Sequence, residues 1–406
     1  MDAYASHLAR LGPSHQVTAQ EDICNAQGIK LLARGSRLDD GVLTKLAMQK
    51  LLKPLGESIG IGGQLDSAQL MAACAELAQE QADLPGLMAL LPMAELCSTL
   101  ERQPLLCQRL TVMRQVSPAR FRRTLFGALL VQGMIRLGGL RGLSSSALFV
   151  AALARSIGLL HLPTELMQGE VQDSAEAQHQ FESYPVISRE MIRRSLDAVS
   201  AEAILDQHEH LDGSGFPRGW RAGSPRLEAQ LLGLADYIAW LCLEQVGSAG
   251  RLIHALGPLR LLRPFWSAGL FEAARELLQS QGRACPPLVE EAARAVWLVD
   301  LKARQQVLAQ QLQALPIPFD SAAAEASHAQ RQYARLRESL DSLCVSSGLL
   351  SPEYGRWIEH VCEQQLSGVY AEMDEVHLQL CCLAPLLQRA SLLQGELART
   401  PVSVAV

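Results

Sequence analysis

The stretch from His208 to Gly219 constrains the fold of this chain more than any other, because it combines two histidines, two carboxylates, three glycines and a proline. Histidine is scarce, at 10 of 406 residues, so this clustering does not follow from composition. Glycine permits backbone angles that are closed to other residues, and proline fixes one of them. The sequence therefore predicts a rigid loop that begins with metal-ligand types of side chain.

Two regions of different periodicity occupy the first three quarters of the chain. Residues 1–95 combine an alternating, turn-rich segment at 16–36, which predicts a small β-hairpin unit, with helical periodicity at 39–58 and 66–82. This region is predicted to be a small α+β module. Residues 96–297 are predicted to be helical almost throughout.

The third region, residues 298–406, is predicted to form long amphipathic helices. Apolar residues recur at near-heptad spacing in 329–343 and again in 358–383. Pro385 is expected to kink or stop the last helix, because proline cannot donate the helical hydrogen bond. The spacing fits either a helical hairpin packed on the main domain or a coiled-coil-like surface for a homodimer or another protein.

The Gly/Pro loop resembles the signature of the HD-GYP family, bacterial metal-dependent phosphodiesterases that cut cyclic dimeric GMP. The family pattern is a His-His-Glu triplet, two residues, and then Asp-Gly-x-Gly-Tyr-Pro. Here the triplet position reads Gln207-His208-Glu209, and the loop follows in register with Phe216 in place of Tyr. The resemblance covers roughly residues 115–297 and implies an all-helical HD-superfamily domain. It puts His208 and Asp236 where family metal ligands stand.

Other functional positions of the family carry different residues here. The His-Asp doublet corresponds to Arg155 and Ser156, in a register fixed by the Ile-Gly pair and the proline that follow. A substrate-contacting lysine of the family corresponds to Leu159. Tyr184 stands where a ligand histidine precedes a proline, and Gln207 stands at the first histidine of the triplet. The resemblance therefore implies a degenerate site.

A further family histidine, on a helix some thirty residues before the doublet, is also missing, since no histidine occurs between His15 and His161. Clustered divalent metals need carboxylates and neutral imidazoles, and an arginine has no lone pair to give. We therefore predict no bound metal or cofactor, and a chain that is not an enzyme. Arg155 and Asp236 correspond to residues that contact the same metal cluster in the HD-GYP family. We therefore predict a salt bridge between them, with His208 alongside.

The segment from Arg102 to Thr164 contains nine arginines and no Asp, Glu or Lys. Two interpretations stay open: these arginines pair with acidic residues elsewhere in the fold, or they form an anion site or a docking face for an acidic partner. The net charge of −6 argues against a general nucleic-acid binder. The arginines are Arg102, Arg109, Arg114, Arg120, Arg122, Arg123, Arg136, Arg141 and Arg155.

The Gly/Pro loop is retained while the ligand positions are lost, which favours a role in docking. In the HD-GYP family the corresponding loop resembles a docking surface for diguanylate cyclase domains. The leading interpretation is therefore a catalytically inactive signalling adaptor, or a regulator linked to cyclic di-GMP, that acts through protein–protein interaction. The loop residues concerned are Asp212, Gly213, Gly215, Phe216 and Pro217.

Two alternatives stay open beside the adaptor. One is a sensor that binds cyclic di-GMP without cutting it, and the other is a phosphodiesterase with a rearranged metal site. No segment is predicted to span a membrane and no signal peptide is visible at the N-terminus, so we expect a cytoplasmic location. The rearranged site would use His161, His179, His208, Glu209 and Asp236.

Overall fold

The fold is mainly helical, with two short two-stranded sheets near the N-terminus, which confirms the fold class predicted from the sequence. The computed structural model describes residues 3–11, 15–168, 174–220, 225–246, 251–282, 285–318, 327–364 and 366–399. The strands are β1 Val17–Ala19, β2 Ile23–Cys24, β3 Lys30–Leu32 and β4 Ile59–Ile61. The helices are α1 Ala3–Leu8, α2 Asp40–Ala47, α3 Leu55–Ser58, α4 Ser67–Glu80, α5 Leu84–Ala89, α6 Met93–Ser98, α7 Pro104–Val116, α8 Pro118–Leu137, α9 Ser145–Ala154, α10 Thr164–Gln168, α11 Ala175–Glu182, α12 Tyr184–Ile192, α13 Ala198–Leu205, α14 Leu227–Trp240, α15 Leu256–Leu261, α16 Ala268–Ser280, α17 Arg294–Ala314, α18 His328–Ser347, α19 Pro352–Gln364 and α20 Tyr370–Arg399.

Shorter helical turns connect several of these elements. A π-helical turn, Leu241–Val246, continues directly from α14. The 3-10 turns are Thr99–Arg102, Ile157–His161, Leu252–Ala255, Arg263–Phe265, Glu291–Ala293 and Ser367–Val369.

The N-terminal module differs in pairing from the sequence prediction. β2 and β3 form the expected hairpin inside 16–36, but β1 pairs antiparallel with β4, with Thr18 opposite Gly60. The single helix expected over 39–58 is two helices, α2 and α3. Pro54 lies directly before α3, where proline is tolerated better than in the interior of a helix.

The central domain is built around α8, which packs against α9 on one side and α14 on another. Buried residues cover most of the surface of α8 and of α9, as expected for helices at the centre of a domain rather than at its surface. Gly127 on α8 leaves room for an arginine, because a Cβ atom there would lie 3.2 Å from Nη2 of Arg155. The candidate site therefore lies where α8, α9 and α14 meet.

The C-terminal helices pack on this domain and on each other. α20 contacts α17 and α18 as well as α11 and α15. The near-heptad residues Leu336, Leu340 and Leu383 are fully buried. They therefore pack within the chain, as in a helical hairpin, and do not form a coiled-coil-like surface. Pro385 was expected to kink or stop the last helix. The helix does not stop there: α20 continues to Arg399, because residues on both sides of the proline are held by packing.

One helix in the described part of the chain, α20, is long and apolar enough to cross a membrane by length and composition, with a mean hydropathy of 1.2. Its apolar residues are used inside the fold, since Leu380, Leu383 and Leu387 are fully buried. The same helix also carries the buried Arg389. These properties are typical of a core helix.

Candidate functional site

Asp236 lies at the centre of a buried cluster of charges. On one side Arg123 forms a bidentate contact, with Nε 2.6 Å from Oδ1 and Nη2 2.8 Å from Oδ2. On another side Nη2 of Arg155 lies 2.6 Å from Oδ1. Nη1 of Arg123 also donates to Oε1 of Glu244 at 3.0 Å. One carboxylate therefore holds two guanidinium groups, and the second carboxylate offsets part of the remaining positive charge.

The protonation of this cluster follows from burial and from its charges. Burial alone would raise the pKa of Asp236, but Arg123 and Arg155 outweigh it and hold the pKa of Asp236 well below its usual range. Burial acts to lower the pKa of Arg123, and the carboxylates of Asp236 and Glu244 reverse this and raise it. Asp236 and Arg123 therefore stay ionised across the physiological pH range.

Arg123 was predicted only as one of nine arginines in a basic segment, and not as a partner of Asp236. It lies on α8, 32 positions before Arg155 in the chain. That spacing is close to the one at which the HD-GYP pattern has its early histidine. The spacing together with the residue type could have identified Arg123 as a second arginine at a ligand position.

His208 lies beside the cluster and is bound by Tyr184. The Tyr184 hydroxyl and Nε2 of His208 are hydrogen-bonded, and the His208 ring stacks on Phe216 with centroids 4.6 Å apart. Burial lowers the pKa of His208 to about 3, with Asp236 opposing and Arg155 adding to the shift. The imidazole is therefore neutral, and the Tyr184 hydroxyl satisfies one of its nitrogens.

The other substituted positions serve the packing of the domain. Ser156 and Leu159 are buried, and the side-chain amide of Gln207 donates to the backbone carbonyl of Arg155 at 3.1 Å. Gly158 is required by close approach, because a Cβ atom there would lie 2.2 Å from the carbonyl oxygen of Tyr184. The retained Ile-Gly register therefore holds α12 against the segment that follows α9.

The Gly/Pro loop is held by two carboxylates. Glu209 accepts hydrogen bonds from the backbone N–H groups of Arg218, Gly219 and Trp220 at 2.5, 3.2 and 3.1 Å. Oδ1 of Asp212 accepts from the backbone N–H and the hydroxyl of Ser214. These bonds fix the loop without any metal ion, since backbone N–H groups satisfy the carboxylate oxygens directly.

The C-terminal helices cover this loop. Nη1 of Arg389 on α20 donates to the carbonyl of Ser214 at 2.5 Å, and its Nε lies 2.6 Å from Oε1 of Glu182. On α18, Ser339 donates to Oδ2 of Asp212 at 2.6 Å. Gly213, Ser214 and Gly215 are buried, while Phe216 and Pro217 are partly buried. Helices of the same chain therefore cover much of the loop, and its role in docking stays a prediction.

The five residues suggested for a rearranged metal site are not all brought together, although His208 lies near Asp236. His161 stacks on the ring of Tyr4, 5.2 Å between centroids, and burial together with Arg109 lowers its pKa to about 3. His179 lies on α11, with Nε2 2.9 Å from Glu396. Within the described ranges, no group of three or more His, Cys, Asp or Glu side chains is placed to hold a metal ion. The donor set around Asp236 does not fit a metal cluster, because two guanidinium groups occupy it.

The arginine-rich segment divides between internal pairs and other contacts. Arg114 and Arg122 on α7 and α8 pair with Glu76 and Glu80 of α4. Arg123 and Arg155 pair with Asp236, as described above. This supports the first of the two interpretations, in which these arginines meet acidic residues elsewhere in the fold.

Comparison with known proteins identifies the domain. Residues 104–263 match the model of the HD domain family. Two curated relatives are the 3'3'-cGAMP-specific phosphodiesterase 1 of Vibrio cholerae, 30% identical over 107 residues, and the cyclic di-GMP phosphodiesterase PdeB of Borreliella burgdorferi, 26% identical over 108 residues. The aligned parts are 24% and 26% of this chain, and 23% and 28% of the respective relatives. No solved structure gives a significant match.

Residues 104–263 are thus similar to the HD domain, and part of the chain is similar to proteins named as cyclic di-GMP and 3'3'-cGAMP phosphodiesterases. The chain spans about a quarter of the length of the curated relatives it matches. The prediction that the chain is not an enzyme needs correction. Both relatives are named as phosphodiesterases, and neither comparison shows a loss of activity.

Proposed function

We propose that this protein is a cytoplasmic regulator in cyclic dinucleotide signalling, and that it works through contact with another protein. The loop 208–219 is the contact surface in this proposal, and α18 and α20 control access to it. The observation that carries the proposal is the buried Arg389, which joins Glu182 to the loop carbonyl of Ser214. A diguanylate cyclase domain is the proposed partner.

The contacts of Arg389 hold α20 against the loop, and this set of contacts is called the latch below. Its guanidinium group is buried, pairs with one carboxylate, and lies 5.3 Å from the centre of the Phe216 ring. Removing one partner of a buried ion pair is costly because the other charge stays unpaired. Release of α20 would therefore require a competing set of contacts, and it would uncover Phe216 and Pro217 together.

The test compares partner binding by three forms of the full chain. Arg389→Ala removes the latch, and Arg399→Ala changes an exposed arginine at the end of the same helix. The double variant Glu182→Gln with Arg389→Gln removes both charges and leaves neither unpaired. Binding of purified diguanylate cyclase domains is measured by calorimetric titration.

The proposal predicts that Arg389→Ala and the double variant bind a cyclase domain at least about tenfold more tightly than the wild type, equivalent to about 1.4 kcal/mol. Arg399→Ala should bind like the wild type. Equal affinity in all forms, or no binding by any of them, contradicts the proposal. Circular dichroism of each variant establishes that the comparison is between folded proteins.

A second candidate function is hydrolysis of a cyclic dinucleotide, because both relatives are named as phosphodiesterases of cyclic dinucleotides. The test is product formation from cyclic di-GMP and from 3'3'-cGAMP, with iron or manganese supplied. Turnover that is lost in Asp236→Asn would support this function at the site described. Turnover that survives this substitution would exclude the Asp236 site as its origin.

A further inference from the structure

Helix α17 carries an apolar stripe on its outer face. Val296, Val299 and Val307 are 69%, 61% and 51% exposed, and the exposed Ala303 lies between them. Residues three and four positions apart share one side of a helix, so these four form a continuous line over three turns. The opposite side of the helix faces the fold through Leu298, Leu301, Gln305 and Leu308, which are buried.

The stripe differs from the scattered exposed residues found on any protein surface. Single exposed apolar residues need no explanation, whereas a continuous apolar surface marks an interaction site. Two charged residues border this line on one side: Asp300 lies directly beside it, at helical spacing from both Val296 and Val307, and Arg304 lies further round the helix. Beyond the helix, Ile317 is 88% exposed. The stripe is therefore an unpaired helix face.

The two charges beside the stripe indicate what it pairs with. Asp300 and Arg304 lie one turn apart on the same flank, and both are exposed. Nη1 of Arg304 donates to Sγ of Cys381 at 2.9 Å, and Asp300 forms no ion pair with another residue in the described part of the chain. When two identical helices pack antiparallel, the same flank of each meets the other. Asp300 of one copy then faces Arg304 of the second copy, and the reverse contact forms by symmetry.

We propose that two copies of this chain associate through α17, antiparallel, around a two-fold axis near Ala303. The interface is isologous, so one surface supplies both partners, as in most homodimers. The valines form its apolar centre, and two reciprocal Asp300–Arg304 contacts form its edge. A parallel arrangement would bring opposite flanks together and leave both charges without these partners.

The first experiment measures the mass of the full chain in solution by sedimentation velocity over a range of concentrations. The wild type should be a dimer that dissociates on dilution. Val299→Glu should be a monomer at concentrations where the wild type is a dimer, because it puts two carboxylates into an apolar centre. The matched control is Val345→Glu on α18, where the valine is 84% exposed, and it should remain a dimer.

The second experiment tests the orientation by exchanging the charges. Asp300→Arg and Arg304→Asp should each weaken dimerisation about three- to tenfold, since each puts like charges together twice. The two substitutions combined should restore most of the affinity. A wild type that stays monomeric at every concentration overturns the proposal and leaves the stripe to a different kind of partner. A dimer that is insensitive to Val299→Glu, or single charge variants that the combination does not rescue, overturn it as well.

Discussion

Arg155 and Asp236 form a buried ion pair in which Nη2 lies 2.6 Å from Oδ1 and the two side chains are 2% and 4% exposed. In the HD-GYP pattern the corresponding positions belong to groups that meet a metal cluster. Here one of them has become a cation that binds the other directly. The carboxylate of Asp236 is thus paired with two guanidinium groups of the same chain, those of Arg155 and Arg123.

The first prediction concerns the stability that this arrangement provides. Asp236→Asn removes the carboxylate between two buried guanidinium groups, and we expect the free energy of unfolding to fall by about 3–5 kcal/mol. Glu80→Gln is the control, because Glu80 pairs with Arg122 at the surface, where both side chains are nearly half exposed. Its expected effect is within about 1 kcal/mol. Urea unfolding curves measure both, and effects of similar size would contradict the account.

The sequence could predict only part of this site. The Arg155–Asp236 pair follows from a register that Ile157 and Gly158 anchor in the sequence. The contribution of Arg123 depends on how α8 packs against α14, and nine arginines of the same type compete for that role in the sequence. Residue type alone cannot distinguish them, so the helix packing decides.

The packing of α18 and α20 over the loop could not be predicted from the sequence, for a similar reason. Near-heptad spacing shows that a helix has an apolar face but does not say which surface that face meets. The pairing of Arg389 with Glu182 joins residues 207 positions apart. The sequence therefore predicted the position of the loop, but it could not show that α18 and α20 lie over it.

The second prediction concerns pH. The pKa of His208 is lowered from 6.5 to about 3 in the folded state, chiefly by burial, so the unfolded chain binds the proton first as the pH falls. His208 therefore reduces stability progressively from about pH 6.5 down to about pH 3, by about 1.4 kcal/mol for each pH unit. His208→Gln removes this dependence. The difference in unfolding free energy between wild type and variant should shift in favour of the variant as the pH falls.

The control for the pH measurement is His360→Gln, because His360 is exposed on α19. The wild type and this control should give parallel curves of unfolding free energy against pH. The pKa shift of His208 acts between about pH 4 and pH 6.5. If the curve for His208→Gln also runs parallel to the wild-type curve in that range, His208 is not the buried neutral imidazole described above.

The third prediction concerns the close packing of the loop. A Cβ atom at Gly215 would lie 2.2 Å from the carbonyl oxygen of His208, so Gly215→Ala must displace the loop. We expect a loss of about 1–3 kcal/mol in unfolding free energy. Gly269→Ala on α16 is the matched control, since nothing lies within 4 Å of its Cβ position. It should be neutral or stabilising, because alanine favours a helix. Equal losses would mean that the loop is not closely packed.

We propose that the two arginines around Asp236 take the place of a metal cluster. Metal analysis of the full chain, purified with iron and manganese supplied, tests it most directly. We expect the purified protein to contain far less than one metal ion per chain, with the same value for the wild type and for Asp236→Asn. About two tightly bound ions per chain, lost in Asp236→Asn, would contradict it.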